Sequence, residues 1–110
     1  MTQPDLGQLL ARAREVQERL AGLQRDLAAR SVEASAGAGL VTAVASGALR
    51  ILELRIDPSL LPSGDRALLA DLVAAAVNAA LEKAQLLVQE ELQRASLTLG
   101  AGGARPGDPV

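Results

Sequence analysis

The sequence predicts an α+β protein: a helix, a three-stranded antiparallel meander and one very long helix. Three observations carry this prediction. A heptad-spaced apolar seam runs from Leu9 to Leu27. Short β-compatible runs separated by glycine follow it. A break bounded by Pro58 and Pro62 then leads into a 3.6-residue apolar period sustained to Leu92.

The first helix is expected to begin near Pro4 or Asp5, where an acidic side chain suits the positive helix N-terminus. Leu9, Ala13, Val16, Leu20, Leu23 and Leu27 alternate spacings of four and three. That makes a seam of about two and a half heptads, long enough to pack on another long helix. Glu15–Arg19, Arg14–Glu18 and Asp26–Arg30 are i,i+4 pairs of opposite charge. Each such pair stabilises a helix by about 0.2–0.5 kcal/mol. At about 100° per residue, Arg12, Arg19 and Arg30 share one stripe beside the seam, with Glu15 and Asp26 close to it.

Ser31–Ser35 alternates weakly and reads as a short strand, and Gly37 and Gly39 bracket a turn. Leu40–Ser46 is small and β-compatible, and Ser46-Gly47 is read as a tight turn. Leu49–Ile56 is the strongest strand, with Leu52, Leu54 and Ile56 on one face and Ile51, Glu53 and Arg55 on the other.

Pro58 lacks the N–H that a ladder needs, so the strand ends near Asp57. Residues before proline avoid the α region, which keeps the next helix from starting early. Asp57 and Ser59 suit a local turn, Leu60 and Leu61 are expected to plug the end of the core, and Ser63 or Asp65 to cap the next helix. That helix should run about 30 residues, or about 45 Å, and overhang its own sheet. Ala74, Ala75, Ala76, Ala79 and Ala80 permit close approach, and Asn78 is read as either an interface polar residue or an exposed one. Residues 1–99 are taken as one domain, and the Gly- and Pro-rich residues 100–110 as a disordered tail.

Composition narrows the function. Among 110 residues there is no histidine, cysteine or aromatic side chain. Disulfides, thiolate chemistry, most zinc sites and most nucleophile–base pairs are therefore excluded, and no cofactor is expected. An all-aliphatic core is thin, so dimerisation is expected to complete it. Asp57 and Ser59 lack a base, metal ligand or oxyanion donor nearby, and no phosphate-loop pattern is present, so nothing supports an enzyme. Stacking on single strands has no aromatic platform. Ala67–Val77 is too short to span a bilayer and contains Asp71, and Met1–Leu10 lacks the basic start of a signal peptide. A cytoplasmic protein without membrane or small-molecule partners is expected. The net charge is −2, so nucleic-acid binding would need a local basic patch.

The chain resembles the YbaB/EbfC family of bacterial nucleoid-associated proteins over about residues 5–99. The resemblance rests on Ile56-Asp57-Pro58-Ser59-Leu60-Leu61, on Asp71-Leu72-Val73-Ala74-Ala75-Ala76-Val77-Asn78, on Gly37-Ala38-Gly39-Leu40-Val41 and on Gly47. It departs from the family pattern at Val77, where Phe is frequent, at Thr42, where Lys is common, and at Ala43 and Ala45, where larger residues are frequent. The resemblance implies a tweezer-shaped homodimer in the nucleoid that binds duplex DNA between or along two helical arms. Phosphate contacts would dominate such binding. The phosphate-contact candidates are then Arg12, Arg19 and Arg30 on one arm and Lys83 and Arg94 on the other, although each also suits a solvated, acid-paired helix face. Arg50 and Arg55 read as sheet-surface charges near Glu53. The rival reading is a dimeric protein–protein interaction module that uses its apolar seams and meets DNA incidentally.

Overall fold

The computed structural model describes residues 5–62 and 64–101, with side chains described to residue 97. The order is α1 (Leu6–Ala29), β1 (Ser31–Ala36), β2 (Val41–Ser46), β3 (Ile51–Ile56), a 3-10 turn (Pro58–Leu60) and α2 (Arg66–Ala101). The strands form one antiparallel sheet in the order β1-β2-β3, so the α+β meander is present as the sequence predicts. Gly100 and Ala101, the first two residues of the expected tail, continue α2; residues 102–110 lie outside the described residues, as does Ser63.

The sheet is covered on one face. Val32, Ala34 and Ala36 of β1 stand opposite Ala45, Ala43 and Val41 of β2. Onto these packs α2, which lies over β1 and β2 and barely touches β3. Its covering stripe is Ala76, Ala80 and Ala84, all fully buried, followed by Leu87. Alanine faces alanine across much of this contact, which lets helix and sheet approach closely. It also accounts for the small residues Ala43 and Ala45. Ala76, Ala80 and Ala84 belong to the 3.6-residue apolar period of the helix, whereas Ala74 and Ala75, also expected to allow close approach, face outward, as does Asn78. The polar face of the sheet holds Ser35 and Thr42, paired in register with their hydroxyls 3.0 Å apart.

Two details depart from simple alternation. The β2–β3 connection is not a two-residue turn at Ser46-Gly47. It spans residues 47–50, with Leu49 in the left-handed region at φ 61° and β3 starting at Ile51. The Ser46 N–H donates to the Arg50 carbonyl and the Leu49 N–H to the Ser46 carbonyl, which holds the wider loop. A bulge follows between Val44 and Ala45, because Val44 pairs with Glu53 and Ala45 with Ile51. Leu52 is left without a partner, and a simple two-faced alternation of β3 fails there.

The proline corner forms as its residues dictate. The Asp57 carboxylate accepts from the Ser59 N–H at 2.9 Å, and the Leu60 N–H donates to the Asp57 carbonyl at 3.0 Å. Leu60 is buried, but Leu61 is exposed, so one leucine rather than two plugs this end of the core. Asp65 caps α2 by accepting from the Leu68 N–H at 3.0 Å. The Ser59 hydroxyl, and then its backbone N–H, hold the Asp57 carboxyl below its ordinary value of 3.8. A lowered folded-state value contributes stability that is present above the unfolded value and lost as pH falls through the folded one. Acid titration of wild type and Asp57→Asn, followed by circular dichroism, should show this component below about pH 4 in the wild type alone.

The molecule is elongated. Its radius of gyration is 21.4 Å, against about 13 Å for a compact domain of this length. At 36 residues, α2 is about 54 Å long and the six-residue strands about 20 Å, so the helix runs far past the sheet. Of the 24 residues of α1 only Leu27 is buried. Leu27 meets the sheet at Gly47, whose N–H donates to the Arg30 carbonyl at 3.1 Å.

Candidate nucleic-acid interface

The two helices carry most of the described basic residues, and the fold decides which come together. Asp5 starts α1 as its N-cap, accepting from the Gln8 N–H at 2.8 Å. The helix then presents its charges to solvent along its whole length. Arg12 is exposed and makes no ion pair among the described residues. Arg19 pairs with Glu15 at 2.9 Å, as the i,i+4 spacing predicts. The pairs Arg14–Glu18 and Asp26–Arg30 do not form.

Arg30 goes elsewhere because it is the C-cap of α1. Its backbone is extended, at φ −88° and ψ 149°, so its side chain leaves the helix register. It reaches α2, where its Nη1 donates to Glu91 Oε1 at 2.9 Å. Arg94 donates to the same oxygen at 3.0 Å. Two candidates separated by 64 positions in the chain therefore meet on one carboxylate. Lys83, the remaining candidate, donates from Nζ to the Glu33 backbone carbonyl at 2.8 Å and ties α2 to β1. Arg55 lies on the sheet's polar face, paired with Glu33 and 3.7 Å from Glu53.

Exposed ion pairs of this kind are worth about 0–1 kcal/mol. Arg14, Arg25, Arg50 and Arg66 are exposed and make no ion pair among the described residues. Sequence reasoning passed over Arg14 by pairing it with Glu18. Arg25 falls eleven residues from Arg14, about three turns along the same side of α1, and that spacing was the available signal.

Leu20, Leu23 and Leu27 of α1 line an apolar groove of about 400 Å³ together with Val88 and Leu92 of α2. Among the described residues no group of acids is placed to hold a metal ion, and no helix is long and apolar enough to cross a membrane.

This architecture is shared. The crystal structure of an uncharacterized protein from Helicobacter pylori superposes with a TM-score of 0.59, covering 71% of this chain and 90% of that one, at 18% identity. That likeness concerns the fold alone. In sequence, a protein from Streptomyces griseus named nucleoid-associated protein is 46% identical over 107 residues, covering 97% of this chain and 94% of its own. One of the same name from Rhodococcus opacus is 39% identical over the same coverage. Another, from an Anaeromyxobacter species, is 39% identical over 84% of this chain and 89% of its own. The profile of the YbaB/EbfC DNA-binding family matches residues 2–99. With helix, meander and long helix in that order and nearly the whole chain matched, this protein belongs to the YbaB/EbfC DNA-binding family.

Proposed function

We propose that this chain is a nucleoid-associated protein that binds duplex DNA without catalysis, as a homodimer, mainly through backbone phosphates. The observation that carries the reading is α1, which buries one residue in 24. A helix this exposed is marginal in water by itself. Its seam residues Leu9, Val16 and Leu20 are open to solvent, as are Ile51, Leu52 and Leu54 on the strand that α2 leaves uncovered. A second copy offers the same apolar surfaces, and mutual burial would stabilise both helices. The overhanging helices would then serve as arms, with Arg12, Arg19 and Arg30 on one and Lys83 and Arg94 on the other. The shared name of the relatives supports a place in the nucleoid of the cytoplasm.

Duplex binding by phosphate contact must release counterions. If about six phosphates are neutralised, affinity should fall about a thousandfold between 50 and 200 mM salt. Fluorescence anisotropy of a labelled random-sequence duplex across that range measures it. Sedimentation should give twice the 11.3 kDa chain mass. A monomer, or binding indifferent to salt, would count against the proposal.

A further inference from the structure

We infer that Arg30 and Arg94 form a two-arginine phosphate fork, and that Glu91 occupies it as an internal stand-in for a DNA phosphate. This rests on the DNA-binding reading above and adds a device that regulates it.

Glu91 continues the covering stripe of α2. Ala84, Leu87 and Glu91 follow at spacings of three and four, so the carboxylate lies on the covered face beside Leu87. Its side chain is only 18% exposed, whereas those of Arg30 and Arg94 are 53% and 73% exposed. The acid is tucked in and the cations point outward. Both guanidinium groups converge on Oε1, at 2.9 and 3.0 Å, one from the C-cap of α1 and one from α2.

Two arginines share one carboxylate oxygen. Planar guanidinium groups in this arrangement suit an oxyanion, and a phosphodiester offers them further acceptor oxygens. The fork lies beside the groove that α1 and α2 line together, since Leu27 and Val88 line that groove one turn before Arg30 and Glu91. A duplex lying along the arms competes with Glu91 for both arginines. Glu91 thereby weakens binding and holds the fork preformed in the DNA-free protein.

The test is the isosteric variant Glu91→Gln, titrated against the same labelled duplex over the same salt series. Binding at about 100 mM salt should tighten about three- to tenfold, and the log–log salt slope should steepen by about one. Adding Arg30→Ala and Arg94→Ala to Glu91→Gln should abolish the gain. Glu90→Gln removes the same charge one residue away and should leave affinity and slope as in the wild type. A brace that merely positions the helices predicts weaker binding for Glu91→Gln, and that result overturns the inference. An equal gain from Glu90→Gln also overturns it, because bulk charge would then suffice. If the wild type binds and Glu91→Gln matches it, this inference alone fails. If the wild type does not bind duplex at low salt, the DNA-binding reading fails and this inference falls with it.

Discussion

Replacing Gly47 with alanine should lower stability by about 3 kcal/mol, at the upper end of the usual cost of overpacking. A Cβ at this position would lie 2.7 Å from the carbonyl carbon of Leu27 and closer still to its oxygen. The obstacle is backbone, so no rotamer change relieves it. Leu27 is the one residue that α1 buries, and the Gly47 N–H holds the Arg30 carbonyl, so the clash falls on the joint between α1 and the sheet. The change should detach α1 while the α2–sheet core survives. Urea unfolding should show a lower midpoint, and circular dichroism a loss of helix signal before the main transition. An unchanged midpoint would mean that the joint is looser than its contacts imply.

The second large effect is expected at Ala80. This residue is fully buried in the stripe between Ala76 and Ala84, in the cluster that includes Val41, Ala43 and Ala45. Ala80→Leu inserts three carbons where helix and strand already touch. Overpacking of this kind costs about 1–3 kcal/mol. The matched control is Ala75→Leu, on the exposed back of the same helix, where surface changes stay within about 0.5 kcal/mol. The two variants have the same composition. A midpoint that falls for Ala80→Leu and holds for Ala75→Leu would locate the packed face of α2. Equal shifts would contradict the stripe.

These two positions also show how far the sequence could be read. Gly47 invited interpretation as a turn glycine, because Ser46-Gly47 lies between two β-compatible runs. Its role is instead to leave room for the end of α1, a contact between segments about twenty residues apart. Local pattern does not encode such an approach. In α2 the 3.6-residue period picks out Ala76, Ala80 and Ala84 and passes over Ala74 and Ala75, as the packed face does. That this stripe lies over β1 and β2 and not over β3 needed the tertiary structure.

The candidate site divides the same way. The Arg19–Glu15 pair was legible because it lies within one helix turn. Arg94 beside Glu91 was legible in the same way, but Arg30 joining them was not, because Glu91 lies 61 positions along the chain from it. The pairing expected within α1, Asp26 with Arg30, failed for an identifiable reason: Arg30 caps the helix in an extended conformation and no longer shares its register.

Element order, the proline corner and the heptad seam are local properties. Periodicity, proline's missing N–H and side-chain capping act over a few residues, so the chain alone determined them. The bulge at Val44/Ala45, the uncovered β3, the exposure of α1 and the shared carboxylate at Glu91 were decided only by the tertiary structure. Each depends on which surfaces meet, and that is settled by packing between elements distant in the chain.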